Sequence, residues 1–219
     1  MTAREFRQRL IEVAGEVKLD LTAEMIEALA TYFDVLSRWN SRINLTSLSL
    51  RPPSDEALRR LLLEPLAASA YMPKGTRKWF DIGSGGGSPA IPMRLACPRL
   101  ALTMVESRTR KAAFLREVIR VLGLSNTTVL CERVEDLATR DELRSTATLV
   151  TLRAVRLDRA LVEAVRHVMA ERGELWIFCS TDIPTLSPWF IYQTSKPLHV
   201  TASVVARFTP AVFHVEQSS

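Results

Sequence analysis

No segment constrains the fold of this chain as tightly as Trp79-Phe80-Asp81-Ile82-Gly83-Ser84-Gly85-Gly86-Gly87-Ser88, an apolar run with an acid near its end that breaks into glycine. Four of the five residues from 83 to 87 are glycine. Without a Cβ they can take φ > 0 and let the backbone come close to a ligand. A second apolar run, Leu100-Ala101-Leu102-Thr103-Met104-Val105, ends in Glu106. That acid stands about twenty residues after the loop, the interval at which a strand-terminal carboxylate reaches a ribose. The pair predicts a nucleoside cofactor lying over the carboxyl ends of a parallel sheet. The spacing Gly83-x-Gly85-x-Gly87 favours S-adenosylmethionine over a dinucleotide, whose fingerprint wants Gly or Ala where Ser88 stands. A glycine-rich turn that binds nothing is the alternative, and Glu106 weighs against it.

Around this loop, strands alternate with helices. Lys78–Ile82, Leu100–Glu106, Thr128–Cys131, Leu149–Leu152 and Leu175–Phe178 read as strands. Between them, Lys111–Leu122 and Arg159–Arg172 read as amphipathic helices, with Gly123 and Gly173 as stop signals. Such alternation requires right-handed crossovers and a parallel sheet covered on both faces. Leu198–Val205 and Ala211–Val215, bridged by Thr209-Pro210, offer a closing antiparallel pair. The fold class expected is therefore α/β and Rossmann-like.

The first 72 residues read instead as a helical extension packed on a core that runs from residue 73 to 219, the whole forming one unit. Thr22 can cap a helix, with Leu21 and Ile26 as a hydrophobic staple and Glu24 favourable to the dipole. Met25, Ile26, Leu29, Tyr32, Phe33, Leu36 and Trp39 then form one apolar stripe. After Arg51-Pro52-Pro53-Ser54 a third helix is expected from Asp55 to about Tyr71.

With 219 residues, 47% of them hydrophobic, the chain can bury one full core. Its formal charge of +5 is compatible with RNA without pointing to it. Cys97, Cys131 and Cys179 match no metal or redox spacing and read as buried, reduced thiols of a cytosolic protein. His167, His199 and His214 show no ligand spacing either. No stretch has the length of a membrane span and no signal peptide is expected.

Arg38-Trp39-Asn40 followed by Ile43-Asn44-Leu45-Thr46-Ser47, and then Phe80-Asp81-Ile82-Gly83-Ser84-Gly85, resembles the glucose-inhibited-division B family of bacterial guanine-N7 methyltransferases of small-subunit ribosomal RNA. Glu106-Ser107, Arg110-Lys111, Phe114-Leu115-Arg116, Arg133-Val134-Glu135 and Arg153-Ala154 extend the likeness from the second helix to the fifth strand. The Trp-Asn…Asn-Leu-Thr segment is its specific part, because methyltransferases in general lack it. The chain departs from the family where Leu61, Glu64 and Pro65 replace a His and an Asp-Ser pair, and where Cys179 replaces a Lys.

The resemblance implies a class I methyltransferase fold, S-adenosylmethionine as cofactor, and small-subunit ribosomal RNA or an assembling particle as partner, with a cytoplasmic monomer acting on it. Gly83, Gly85, Gly87, Ser88, Glu106, Val134, Glu135 and Arg153 would then hold the cofactor. Arg153, with Arg133 beside it, would serve the reacting base. A strand-end salt bridge at Arg153, pairing of Arg133 with nearby acids, and a solvated loop carboxylate at Glu135 remain open readings. So do a phosphate contact or a solvated helix face for Arg108, Arg110, Lys111, Arg116 and Arg120, and a turn cap for Asn44 and Thr46. Beyond rRNA guanine N7, a different methyl acceptor and a non-catalytic RNA-binding relative also stay open.

Overall fold

Trp79 and Phe80 are adjacent on one strand, both buried, and belong to different cores. Successive strand side chains point to opposite faces, so burial of both requires cover above and below the sheet. The computed structural model describes residues 2–211. It contains seven strands: β1 (Lys78–Ile82), β2 (Ala101–Val105), β3 (Thr127–Leu130), β4 (Ala147–Arg153), β5 (Met169–Cys179), β6 (Phe190–Pro197) and β7 (Val204–Pro210). They form one sheet in the order β3-β2-β1-β4-β5-β7-β6. β1 to β5 pair in parallel, and β7 runs antiparallel between β5 and β6. From β1 the chain moves outward to β2 and β3, then returns to the other side of β1 at β4. Ligands of such sheets bind at this switch point, outside the carboxyl ends of the strands.

One face carries α1 (Ala3–Glu16), α2 (Ala23–Asn40), α3 (Asp55–Leu58), α4 (Glu64–Ser69), α5 (Ala90–Ala96) and α6 (Thr109–Leu122). Leu10, Leu29, Tyr32, Leu36 and Leu62 pack there in one continuous core with Trp79, Met104, Phe114, Leu149 and Trp176. The other face carries α7 (Val134–Leu137) and α8 (Arg159–Val168), which cover Phe80, Ile82, Val150, Leu152 and Ile177. The expected caps are present: Thr22 Oγ1 accepts from the Met25 N–H, and Gly123 closes α6 in the left-handed region. The apolar stripe of α2 is buried at Leu29, Tyr32, Phe33 and Leu36. Trp39 is half-buried, packs on Phe114, and donates its Nε1–H to Glu117 at 2.8 Å.

The third expected helix forms as α3 and α4 joined through a π-helical turn, Arg59–Leu63. Of the cysteines, all three are free, but Cys131 is exposed and the other two are half-buried. The polar edge strand β6 escapes an apolar pattern because its Ile191-Tyr192-Gln193 stretch faces solvent. The closing antiparallel pair is therefore β6–β7, not the segments the sequence suggests. Residues 198–203 form the turn between the two, and Thr209-Pro210 ends β7. The strand expected at Ala211–Val215 falls almost wholly outside the described residues, and Ala211 itself is not in a strand.

Gly173 does not stop a helix. α8 ends at Val168, and Met169 already pairs with Ala147. Leu149 pairs with Glu174, so between the two pairs one residue of β4 stands against four of β5, and Gly173 lies in the resulting bulge. A Cβ there would stand 2.8 Å from the Ala147 carbonyl oxygen and 3.0 Å from that of Ala170. Backbone atoms cannot swing aside as a side-chain end can. Gly173→Ala is expected to lower stability by about 1–3 kcal/mol through this overlap. Urea unfolding of the two proteins measures it, and an unchanged midpoint would mean that the bulge relaxes freely.

Candidate active site

The glycine loop leaves β1 with alternate residues in the left-handed region: φ is 75° at Gly83, 49° at Gly85 and 85° at Gly87. At Gly87 the need for glycine is double. A Cβ would also stand 3.0 Å from Ile91 and 3.4 Å from the Tyr32 hydroxyl. The loop is held from two sides. On one, Glu106 at the end of β2 accepts the Gly85 N–H at 3.0 Å through one carboxylate oxygen and the Arg108 N–H at 2.8 Å through the other. On the other, the buried Tyr32 of α2 donates its hydroxyl to the Gly86 carbonyl at 2.6 Å. Burial pushes the Tyr32 pKa well above its ordinary value, so the group remains a donor.

Asn40 explains the sequence segment that follows α2. Its Oδ1 accepts the N–H groups of Leu45 and Thr46 at 2.9 and 3.0 Å. The capping residue is thus Asn40 rather than Asn44, which is exposed, while Thr46 caps the Leu48 N–H. The turn so formed brings the Leu45 carbonyl to 3.4 Å from where a Cβ of Gly86 would sit.

A cleft of about 270 Å³ opens beside the loop, lined by Gly83, Glu106, Arg133, Val134, Glu135 and Val155 among others. Its donor set fits a nucleoside. Each Glu106 oxygen keeps a lone pair for a ribose hydroxyl after accepting its backbone N–H. Arg133, 74% exposed, donates from Nε and Nη2 to Glu135, each at 3.4 Å. The Glu135 carboxyl is held below its usual pKa first by a hydrogen bond with its own backbone and then by Arg133.

Arg153 does not lie beside Arg133. Arg133 follows β3 and Arg153 ends β4, three strand spacings apart, or about 14 Å. Arg153 lines a second depression of about 650 Å³ with Arg60, Glu64, Phe178, Cys179 and Thr201. Its Nη1 donates to the Arg60 carbonyl at 2.7 Å and to Ser88 Oγ at 3.2 Å, and its Nη2 to Glu64 at 3.1 Å. The guanidinium also lies 5.7 Å from the centre of the Phe178 ring. The strand-end ion pair weighed from the sequence is thus formed, and it reaches the glycine loop through Ser88. The next residue, Ala154, turns the chain with φ of 53°.

Sequence reasoning missed Tyr32, Glu64, Phe178 and Thr201 as parts of this region, and gave Asp81 no role beyond ending a strand. Asp81 is buried behind the loop and accepts from Thr151 at 2.5 Å, while Thr151 in turn accepts from the Trp79 indole. Burial raises its pKa to about 6. An acid inside an otherwise apolar strand was the available signal. Of the basic run on α6, Arg108, Arg110, Arg116 and Arg120 are exposed and Lys111 is half-buried.

The sheet order, the glycine loop and the acid that ends β2 define a class I methyltransferase-like protein. The model of the GidB family, rRNA small subunit methyltransferase G, matches residues 25–181, and the chain belongs to that family. It is 37% identical over 186 residues to a ribosomal RNA small subunit methyltransferase G of Xylella fastidiosa, covering 83% of this chain and 84% of the relative. A protein of the same name from Chloroflexus aggregans is 36% identical over 201 residues, 92% of this chain and 82% of that one. Among solved structures, a mutant of MtNAS in complex with S-adenosylmethionine aligns with a TM-score of 0.57 and 17% identity, over 96% of this chain and 97% of that one. At that identity the likeness concerns the fold alone.

Glu106 should be the residue on which cofactor affinity depends most. Glu106→Ala removes charge-assisted bonds and is expected to weaken S-adenosylmethionine binding at least about tenfold in calorimetry. Parental affinity in the variant, or tight binding of a nicotinamide dinucleotide by the parent, would contradict this assignment.

Proposed function

We propose that the protein transfers the methyl group of S-adenosylmethionine to N7 of a guanine in small-subunit ribosomal RNA. Family membership supports the substrate class, and the Glu106-braced glycine loop is the observation that carries the cofactor assignment. Residues 1–72 act in this reading as a helical extension belonging to the same unit as the catalytic core, residues 73–219. The protein works as a monomer in the cytoplasm on RNA or an assembling particle. Among the described residues, no helix is long and apolar enough to cross a membrane.

Gly83, Gly85 and Gly87 let the backbone approach the cofactor, and Glu106 takes its ribose. Val134 and Glu135 meet the adenine edge, with Arg133 orienting Glu135. When bound, the cofactor supplies a methyl carbon already activated by the sulfonium charge. Guanine N7 offers a lone pair and no proton, so accepting that methyl group would require no base from this chain and would leave the imidazole ring positively charged. Catalysis then rests on holding N7 in line with the methyl carbon, a term worth up to about 7–11 kcal/mol in favourable intramolecular cases.

In this reading Arg153 takes that task, and its position between the glycine loop and the neighbouring depression supports it. An arginine clamped on both N7 and O6 would block the nucleophile. It therefore engages O6, a phosphate or the cofactor carboxylate. Three of its bonds go to Arg60, Ser88 and Glu64, which leaves part of its five-donor fork for such a ligand.

The product cation makes its nucleotide open to borohydride and aniline cleavage. Small-subunit RNA from cells with the gene should break at one site that RNA from cells without it lacks. Arg153→Ala should cut methyl incorporation about a hundredfold, the cost of a misplacement of ~1 Å. Identical cleavage with and without the gene would overturn the substrate assignment.

A further inference from the structure

The turn where this chain departs from its family builds a socket for Arg153. In the π-helical turn Arg59–Leu63, the Glu64 N–H reaches back five residues to the Arg59 carbonyl. That leaves the Arg60 carbonyl without its usual donor, and the residue that would serve it in a π register is Pro65, which has no N–H. Arg153 Nη1 supplies the missing donor at 2.7 Å. Glu64 lies four residues after Arg60, so its carboxylate shares that helix face and takes Nη2 at 3.1 Å.

The rest of the socket comes from elsewhere in the chain. Thr201, in the turn between β6 and β7, donates to the second Glu64 oxygen at 2.7 Å. Phe178 of β5 offers its ring to the guanidinium, and Ser88 of the glycine loop accepts from Nη1. Glu64 is 1% exposed and the Arg153 side chain 13%. If Arg153 swung away, a buried carboxylate would be left facing only a hydroxyl, and an uncompensated buried charge is strongly disfavoured. The guanidinium is thereby fixed in plane and position at the border between the glycine loop and the depression lined by Arg59, Arg60 and Cys179.

We propose that Glu64 is the positioning residue of the methyl-acceptor side, holding Arg153 against the glycine loop with the Arg60 carbonyl and Thr201. The proposal rests on the methyltransferase reading above. Its chemistry implies that Glu64 acts through Arg153 and has no separate contact with the acceptor.

A double-mutant cycle on methyl transfer to the small ribosomal subunit tests this, at single turnover and saturating cofactor. Glu64→Gln keeps the shape and removes the charge. It is expected to slow transfer about tenfold or more, with Glu64→Asp recovering part of the rate. Glu64→Gln combined with Arg153→Ala should be no slower than Arg153→Ala alone. Parental turnover in Glu64→Gln, or losses that multiply in the double variant, would overturn the proposal.

If Glu64→Gln fails to fold, Thr201→Val loosens the same carboxylate and should slow transfer about fivefold, the equivalent of one hydrogen bond. An unchanged rate there would equally count against it. A second measurement does not depend on activity. The two Nη signals of Arg153, assigned with Arg153→Lys, should be distinct in the nitrogen spectrum of the parent and merge in Glu64→Gln. Merged signals in the parent would show that no socket holds the side chain. A parent that transfers no methyl group would sink the methyltransferase reading, while the spectrum would still decide whether Glu64 fixes Arg153.

Discussion

The hydroxyl of Tyr32 on the carbonyl of Gly86 is the contact on which the rest of the site depends. A loop with left-handed residues at 83, 85 and 87 is costly to order, since glycine loses more backbone freedom than any other residue. Backbone bonds from Gly83 and Ser84 to the Val105 carbonyl and from Gly87 to that of Ser84 offset part of the loss, and two side-chain anchors add to them. Glu106 holds Gly85 from the β2 side, and Tyr32 holds Gly86 from the helical side. Without either, the loop would carry the conformational freedom that a bound nucleoside must then remove, at a direct cost in affinity.

The N-terminal helices therefore take part in holding the glycine loop. Tyr32 lies on α2 among the residues that pack into the same core as Trp79 and Phe114. Asn40 then caps the turn that sets Leu45 against Gly86. The helical face braces the loop on one side and, through Arg59, Arg60 and Glu64, also lines the Arg153 depression, while the cleft is lined by Ile82, Val134 and Leu161 of the other core. Ser88, at the end of the loop, carries the connection onward to Arg153. Glycine loop, helical brace and the Arg153 socket are thus linked by hydrogen bonds over a few residues.

Much of this was legible in the amino-acid sequence, for identifiable reasons. Short apolar runs and the glycine punctuation made β1 to β4 and the loop readable, because a parallel strand buried on both faces is apolar throughout and a left-handed turn favours glycine. The Trp39-Asn40 segment was recognisable by resemblance, but its reason, a turn cap that backs a glycine, needed the fold. Gly173 was misread because a glycine after an amphipathic run looks like a helix stop, while here it relieves a bulge crowded by the Ala147 carbonyl. β6 was missed because only Phe190 of its residues is buried, so it carries neither an apolar run nor an alternation. The Glu64 socket was out of reach, since it joins residues 60, 64, 88, 153 and 201 across five segments. No spacing rule brings those together.

The central claim, that the helical extension holds the cofactor loop in its binding shape, is tested most directly by Tyr32→Phe. The substitution removes one oxygen and keeps the ring in the core. Amide exchange at Gly86 and Gly87, read together with S-adenosylmethionine affinity, is the measurement. Faster exchange at both glycines and affinity weakened about fivefold or more, with the global melting transition still cooperative, is the predicted result. Exchange and affinity both equal to the parent would contradict the account, and would mean that the loop keeps its shape without the helices.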